Sequence, residues 1–372
     1  MPLVAYADGP GGPRSSPAAV GLDGAEVLLG WTLEERPWLA DGTVEGMTVM
    51  PGYALAAPVA AGTLRYLPVR LSAVPRLLDR LRPDVGVVTA VRRGSGFALA
   101  GSIGWAPALL RSARSVVVEV ADDLVDLGGP AIARPVAAVM ERPPAPRVSG
   151  PRPPDDIDRS VAANVVRMLP DDPTIQVGPG GIAEAILAAV DRPVRIWSGL
   201  VTDAVAGLLD RGLLEGRATC AYTWGDGGIR ALVHARRLSL TSIDETHDLT
   251  RTSAIDRFVA CNTALQVGLD GTVNVERAGA RVVAGVGGHP DFAAAAARSR
   301  GGLSIIALRS RTPRGDSTVV ERVDVASTPR CDVDVVVTEH GVADLRGVDD
   351  AERARRIGAV AAPEFRLMGA AL

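Results

Sequence analysis

The stretch GVGGHPDF, at residues 285–292, has the composition of a ligand-binding turn. Gly287 and Gly288 allow the backbone to approach another molecule closely, and the proline that follows suits the first turn of a helix. Backbone N–H groups and a helix N-terminus that meet at one point favour an anion or a developing oxyanion. We therefore predict a ligand-facing loop between a strand and a helix. Asp291 is expected to cap this helix, and His289 is expected to be an exposed turn residue.

Glycine-rich or polar residues also follow three other predicted strands, in the segments GPGGIAEA (178–185), WSGLVTD (197–203) and TEHGVADLRG (338–347). The first segment matches G-x-G-x-x-A, a dinucleotide-binding fingerprint, through Gly178 and Gly180. That fingerprint also requires an acidic residue about 20 positions later to hold the ribose, where this chain reads IWSG. A tight turn between a strand and a helix is therefore the favoured interpretation. A nicotinamide-dependent oxidoreductase is a distant alternative.

Composition argues against several kinds of chemistry. All 40 basic residues are arginines, so the chain has no lysine for a Schiff base, a pyridoxal cofactor or a phosphate-binding P-loop. The four histidines and three cysteines are scattered, which argues against a zinc site or a disulfide framework. The net charge of −3 gives no electrostatic case for nucleic acid or an anionic membrane. Because no apolar run approaches the roughly 18 residues of a membrane span and no signal-peptide pattern is present, a cytoplasmic protein is expected.

Alternating strands and helices are expected to position these turns. Four apolar runs are typical of strands buried on both faces, at residues 85–91, 115–120, 303–308 and 333–338. A glycine-rich turn and a short helix are expected between the first two runs. The segments TIQVG and PVRIW each precede a helical pattern, and the second pattern includes Val201, Val205 and Leu208. This alternation predicts an α/β protein with mostly parallel sheets, in which functional sites gather beyond the carboxyl ends of the strands.

A proline-rich segment divides the chain. Residues 140–156, MERPPAPRVSGPRPPDD, are polar and lack periodicity, which is typical of a semi-rigid linker. We therefore predict an N-terminal domain at residues 1–139 and a C-terminal domain at residues 157–372. A long surface loop within one domain is the alternative interpretation.

Five motifs of the second half occur in an order that identifies a family. They are CNTALQVGLDGTVNVE, GVGGHPDF, GGLSIIAL, CDVDVVVTEHGVADLRG and ERARRIGAVAAPEFR. In this order they resemble the acetyl-CoA hydrolase/transferase family, which includes the acetate, succinate and 4-hydroxybutyrate CoA-transferases. The segments TIQVGPGGIAEAIL and RIWSGLVTDAVAGLLDRGLL extend the resemblance upstream, whereas the first half resembles the family more loosely.

This resemblance implies two similar α/β domains with the active site between them, and a shortened first domain that lacks the family's opening strand–helix unit. It also implies ping-pong acyl transfer, in which a glutamate attacks the acyl-CoA thioester and the released CoA then forms a glutamyl-CoA thioester. The glycines expected to face CoA are Gly285, Gly287, Gly288, Gly178 and Gly180. Acyl-CoA and a small carboxylic acid are then the substrates, no cofactor is bound permanently, and a homodimer is expected.

One departure from the family's pattern affects the chemistry directly. The family's nucleophilic glutamate follows a histidine and a serine or threonine, but this chain reads WSGL, so Gly199 stands in the place of the glutamate. Gln266 and Gly268 also replace the acidic residues that are usual in the family. Asn262 resembles a site-lining asparagine and Glu339 a glutamate near the thioester. The alternatives are a strand-end hydrogen bond for the asparagine and a surface position for the acid.

Three hypotheses follow from the missing glutamate. In the first, the protein is an acyl-CoA enzyme with altered chemistry, in which Glu339 or Glu184 activates water for direct hydrolysis. In the second, it is a non-catalytic relative that binds CoA esters or supports a paralogous subunit with an intact glutamate. In the third, it is a conventional transferase and the local alignment is shifted. The first is our working hypothesis.

Overall fold

A mostly parallel sheet of eight strands forms the centre of the first half of the chain. The computed structural model describes residues 1–40, 42–144 and 149–365. Seven strands run parallel in the order β4-β3-β2-β1-β5-β7-β8, and β6 forms an antiparallel hairpin with β5. The strands are β1 (Leu3–Tyr6), β2 (Glu26–Leu29), β3 (Gly46–Thr48), β4 (Leu64–Tyr66), β5 (Val85–Arg93), β6 (Gly96–Leu99), β7 (Ser115–Val120) and β8 (Ala138–Glu141).

A second sheet, of six strands, forms the centre of the second half. Its order is β10-β9-β15-β20-β22-β23, in which the first five strands are parallel and only β23 is antiparallel to its neighbour. Short sheets of two or three strands flank it. The strands are β9 (Thr174–Val177), β10 (Arg195–Ile196), β11 (Leu200–Thr202), β12 (Ala218–Cys220), β13 (Tyr222–Trp224), β14 (Leu238–Leu240), β15 (Phe258–Asn262), β16 (Gln266–Gly268), β17 (Val273–Asn274), β18 (Arg277–Ala278), β19 (Arg281–Val282), β20 (Leu303–Ala307), β21 (Val319–Val320), β22 (Val335–Thr338) and β23 (Gly341–Asp344).

The helices are short, and most connect successive strands. The α-helices are α1 (Pro37–Ala40), α2 (Ala56–Ala61), α3 (Val74–Leu81), α4 (Ala106–Ser112), α5 (Asp156–Val166), α6 (Gly181–Ala189), α7 (Ala204–Asp210), α8 (Gly227–His234), α9 (Ile243–Thr246), α10 (Leu249–Ser253), α11 (His289–Arg298) and α12 (Asp350–Ala359). Four 3-10 turns cover Ala18–Val20, Tyr53–Leu55, Leu71–Ala73 and Arg330–Asp332. Within the described ranges no helix has the length and apolar character needed to cross a membrane.

Both faces of each sheet are covered, which explains the continuous apolar runs in the sequence. In β1, Leu3 and Ala5 pack into one hydrophobic cluster, whereas Val4 and Tyr6 pack into another on the opposite face. This division follows from the two-residue repeat of a strand. The four runs predicted to be buried strands form β5, β7, β20 and β22. The predicted fold class, α/β with mostly parallel sheets, is thereby confirmed.

Three local predictions differ from the structure. Val201 lies in strand β11 rather than in the helix that follows, because its backbone pairs with β13. The turn predicted after β5 contains a further strand, β6, before the helix α4. The strand expected before the glycine loop is only the two-residue β19, which pairs with β18 outside the main sheet. In each case short-range backbone pairing replaces the regular alternation that the pattern suggests.

The predicted linker lies between the two sheets. Strand β8 ends at Glu141, two residues inside the segment 140–156, and helix α5 begins at Asp156. Asp155 caps this helix by accepting a hydrogen bond from the backbone N–H of Asp158. Residues 145–148, in the middle of the segment, lie outside the described residues. The division into two domains and a linker stays a prediction.

The carboxyl ends of both sheets face a common space. Asp8, Trp31 and Met50 follow β1, β2 and β3, and Gly178 and Thr263 follow β9 and β15. All five line a single cavity. Because parallel strands end at the same edge of a sheet, the residues just beyond them collect there. The fold therefore brings loops from both halves of the chain to one site.

Candidate active site

A cavity of about 350 Å³ lies between the two sheets. Its walls are mostly apolar, with a few polar groups that converge on the interior, which is the usual composition of a small-molecule site. The first half contributes Asp8, Trp31, Met50, Tyr53 and Leu71. The second half contributes Gln176, Val177, Gly178, Pro179, Gly199, Leu200, Tyr222, His247, Asn262, Thr263, Ala264, Leu265, Val275, Ala284, Gly285, Val286, Gly287, Gly288, His289 and Phe292.

The glycine loop forms one wall of this cavity at the start of α11. Its glycines are required by close packing and by the backbone conformation. A Cβ atom on Gly285 would lie 2.4 Å from the carbonyl oxygen of Val49, and Gly287 has a φ of +61°. The carbonyl of Gly287 accepts a hydrogen bond from the backbone N–H of Leu71, which fixes the loop to the first half. The loop thus brings a helix N-terminus to the cavity at a defined position.

Gly199 lies directly beside this loop, and neighbouring side chains fill the space in front of it. A Cβ atom on Gly199 would lie 3.2 Å from both Cε1 and Nε2 of His247 and 3.3 Å from Cε2 of Phe292. The residue does not have a positive φ, so its backbone conformation is open to any L-amino acid. The obstacle to a side chain here is therefore the imidazole of His247 and the ring of Phe292.

His247 is a buried residue that sequence reasoning did not single out. Its Nδ1 lies 2.8 Å from the hydroxyl oxygen of Thr246, and its ring centre lies 4.6 Å from that of Phe292. Burial lowers the pKa of His247 to about 3, so the imidazole is uncharged at neutral pH. The surrounding sequence, SIDETHDLT, has no catalytic motif. Only the fold brings this ring to the strand that ends before Gly199.

Asp8 is the carboxylate of the cavity, and the sequence analysis also overlooked it. Its Oδ2 accepts a hydrogen bond of 2.7 Å from the hydroxyl of Tyr222, and its Oδ1 accepts one of 3.1 Å from the backbone N–H of Trp105. Burial raises the pKa of Asp8 to about 7, although the bond from Tyr222 opposes this rise. The sequence did contain a signal that Asp8 belongs to a site, because ADG directly follows the first apolar run of the chain. Polar residues at such a strand end are candidates for a site.

We expect Asp8→Asn to change how stability depends on pH. The pKa of Asp8 is raised from 3.8 to about 7, so between these values the folded protein keeps a proton that the unfolded chain loses. The stabilisation by this proton is complete below about pH 4 and is lost as the pH rises through 7. Between pH 4.5 and 8 the variant should gain about 3 kcal/mol in unfolding free energy relative to the wild type.

Urea denaturation of both proteins at several pH values measures this difference. The buried histidines also titrate differently in the folded and unfolded states, but both proteins share them, so their contributions cancel in the difference. Parallel pH profiles for the two proteins would contradict the raised pKa.

The two acids proposed as bases lie elsewhere. The described residues that line the cavity include neither Glu339 nor Glu184. The carboxylate of Glu339 accepts hydrogen bonds from the backbone N–H and the hydroxyl of Ser310, at 2.9 and 2.6 Å. The carboxylate of Glu184 accepts a bond of 2.7 Å from the hydroxyl of Thr202, and burial raises its pKa. Both acids therefore have structural partners and no direct access to the cavity.

Asn262 and most of the predicted glycines do reach the cavity. Asn262 lies at the end of β15, and its side-chain amide donates a long hydrogen bond, 3.4 Å, to the carbonyl of His289. Gly178 lines the cavity together with the glycine loop. Gly180 instead has a φ of +124° at the start of α6 and lines a neighbouring depression, beside Arg309. The structure thus brings Asn262, Gly178 and Gly199 together and leaves Gly180 at the margin.

Two expectations about the glycine loop are wrong. Asp291 does not cap α11, because the N-cap position is Gly288 and makes no side-chain cap bond. The Asp291 carboxylate instead accepts hydrogen bonds from the hydroxyl and the backbone N–H of Ser72, at 2.6 and 3.1 Å, and so joins the two halves. His289 is partly buried rather than exposed, and its Nδ1 lies 2.7 Å from the hydroxyl of Thr328. Contacts with the first half therefore hold Asp291, whereas Thr328 of the second half holds His289.

Comparison with known proteins agrees with these features. The family model described as acetyl-CoA hydrolase/transferase C-terminal domain matches residues 229–368. The butyryl-CoA:acetate CoA-transferase of Anaerostipes caccae is 25% identical over 331 residues, which cover 81% of this chain and 74% of that protein. The 4-hydroxybutyrate coenzyme A transferase of Clostridium kluyveri is 30% identical over 226 residues, which cover 57% of this chain and 53% of that protein. Acetyl-CoA hydrolases are also among the relatives.

A solved structure supports the same assignment at the level of the fold. The 4-hydroxybutyrate CoA-transferase of Porphyromonas gingivalis superposes with a TM-score of 0.76 at 23% identity, covering 100% of this chain and 92% of that one. This likeness establishes a CoA-transferase-like fold. The resemblance found in the sequence is thus confirmed: residues 229–368 match the acetyl-CoA hydrolase/transferase C-terminal domain, and the relatives are CoA-transferases and acetyl-CoA hydrolases.

Proposed function

We propose that the protein binds an acyl-CoA ester in the cavity between its sheets and hydrolyses the thioester without a covalent glutamyl intermediate. The observation that carries this proposal is the combination of an intact glycine loop with a glycine at position 199. The loop keeps the elements that hold and polarise a thioester. Position 199 lacks the carboxylate that would accept the acyl group.

The glycine loop supports the binding half of the proposal. Gly287 and Gly288 let the backbone approach a flat thioester group, and helix α11 begins with His289 at the same wall. The first N–H groups of a helix have no partner within the helix. In hydrolysis, negative charge builds on the thioester oxygen as the carbonyl carbon is attacked. Fixed N–H donors in a cavity shielded from water stabilise such charge more strongly than water itself does. The loop would therefore stabilise the transition state more than the substrate.

The altered residue supports the chemical half. In a glutamate enzyme the carboxylate attacks the thioester and forms an anhydride, and a second molecule of acid later receives CoA. Gly199 has no atom that can form this bond. Water is the remaining nucleophile of small size: its oxygen bonds to the carbonyl carbon, the carbon–sulfur bond breaks, and a carboxylic acid and CoA leave. No acyl acceptor is then needed.

Two measurements on the wild-type protein test the proposal. Calorimetry should show binding of CoA, and a thiol assay should show release of CoA from acetyl-, butyryl- or succinyl-CoA without added acid. Intact-mass spectrometry of the mixture should show only unmodified protein. An adduct on Glu339 or Glu184 would mean that the nucleophile has moved, which would contradict the proposal. Binding without CoA release would favour the alternative function, a CoA-ester-binding subunit without catalysis, which the missing carboxylate also favours.

A further inference from the structure

The imidazole of His247 lies between position 199 and the first residues of α11, the two places that the proposed reaction would use. A Cβ atom on Gly199 would lie 3.2 Å from Nε2, and a Cβ atom on Gly288 would lie 2.4 Å from the same nitrogen. One edge of the ring therefore touches both the position of the missing carboxylate and the start of α11. In the proposed function a thioester carbonyl would lie at this point, between the attacking atom and the loop donors.

Hydrogen bonds determine which ring nitrogen carries the proton. The Thr246 hydroxyl oxygen lies 3.2 Å from the carbonyl of Ser242, to which it donates its hydrogen. The same oxygen lies 2.8 Å from Nδ1 of His247 and, having used its hydrogen, accepts the one on Nδ1. The lone pair of the neutral ring then belongs to Nε2, the nitrogen beside Gly199 and Gly288. The lone pair of Nε2 therefore faces the positions of Gly199 and Gly288.

The ring is also held in a fixed position. The Trp197 indole N–H and the Thr252 hydroxyl each donate a hydrogen bond of 3.2 Å to the carbonyl of Thr246, the residue before His247. Phe292 packs against the imidazole from α11. Trp197 therefore helps to fix the turn that carries the histidine. A group held in this way loses little freedom when it acts on a substrate.

The other titratable groups of the cavity are less well placed to act at position 199. Both carboxylate oxygens of Asp8 accept hydrogen bonds, from Tyr222 and from the backbone of Trp105. His289 uses its Nδ1 in the bond with Thr328, and its buried Nε2 has no hydrogen-bond partner among the described residues, but His289 is not among the nearest neighbours of Gly199. Of these groups, His247 is the one whose free lone pair lies against the empty position 199. It is therefore the best-placed proton acceptor.

We propose that His247 is the general base of this site and takes over catalysis from the absent glutamate. The inference rests on the proposed function, because it requires that a thioester is hydrolysed here. Nε2 removes a proton from water while the water oxygen bonds to the carbonyl carbon, and the electron pair of the carbonyl moves to its oxygen. As this pair returns, the carbon–sulfur bond breaks and the proton on Nε2 passes to the CoA thiolate. Negative charge on the adjacent oxygen stabilises the imidazolium as it forms.

His247→Asn tests this role, because its amide can still donate to Thr246 but has no base at the position of Nε2. We expect kcat for CoA release to fall by about 100-fold or more, while the Kd for CoA and the melting temperature stay close to the wild-type values. His234→Asn, at an exposed histidine near the end of α8, is the matched control and should retain full activity. A solvent deuterium isotope effect on the wild-type kcat is expected, because the proton moves in the transition state.

The outcomes separate this inference from the proposed function. A wild-type protein that releases CoA, with His247→Asn within threefold of it, would overturn only the role of His247. A wild-type protein that binds CoA but releases none would overturn both hydrolysis and the base. If His247→Asn does not fold, His247→Gln and the isotope effect decide instead. Wild-type turnover in the Gln variant, or the absence of an isotope effect, would overturn the proposal.

Discussion

Gly199→Glu combined with His247→Ala is expected to create a CoA-transferase that forms a trappable glutamyl adduct. The backbone at Gly199 accepts a side chain without strain, because its φ is not positive. The nearest obstacle is the His247 ring, 3.2 Å from the position of a Cβ atom, and the Phe292 ring follows at 3.3 Å. Removing the ring opens the space into which the new carboxylate must extend, beside the glycine loop. The same change removes the proposed base, so hydrolysis should fall as transfer appears.

The single and double variants should differ in a defined order. Gly199→Glu alone must displace His247 and should show weak transfer, because a misplacement of about 1 Å can cost roughly 100-fold in rate. The double variant should transfer CoA from acetyl-CoA to propionate about tenfold faster or more. Gly199→Gln with His247→Ala is the control, since it has the same size but no nucleophilic oxygen pair. If the Glu and Gln double variants show equal transfer and equal adduct mass, the prediction is wrong. The site would then differ from that of a glutamate-dependent transferase at more than these two positions.

Gly288→Val should abolish binding of the CoA ester. The backbone of Gly288, with a φ of −90°, tolerates other residues, so the effect would come from the side chain itself. Its Cβ would lie 2.4 Å from Nε2 of His247 and 3.1 Å from Cε2 of Phe292. The branched group would push the imidazole from its place and cover the wall that the thioester needs. We expect at least about a 100-fold loss in kcat/KM and a loss of about 1–3 kcal/mol in stability from overpacking.

Calorimetry with CoA and chemical denaturation measure the two effects separately. Gly207→Val, in α7, is the matched control, because nothing lies within 4 Å of the position of its Cβ. It introduces the same side chain far from the cavity and should bind CoA as the wild type does. If Gly288→Val binds CoA with wild-type affinity, the glycine loop is not part of the CoA-binding site.

Local patterns in the sequence determined the elements and the family. Continuous β-branched runs became the central strands of both sheets because these strands are buried on both faces. The glycine loop was also visible as a cluster of glycines in the sequence. The structure explains Gly285, because close approach to Val49 leaves no room for a side chain there. The order of the motifs identified the family without the structure. Each of these signals lies in the residues of a segment or in the order of segments along the chain, so the sequence alone was sufficient.

The composition of the site depended on contacts between distant segments. Glu339 follows a strand, as a catalytic acid would, but the bonds from Ser310 hold it outside the cavity. Asp8 and His247 come from opposite halves of the chain and line the same cavity because the carboxyl edges of the two sheets face each other. Periodicity records which face of an element is buried, but not which side chain lies opposite after the sheets pack. For that reason the sequence showed the glycine at position 199, and only the tertiary structure placed an imidazole in front of it.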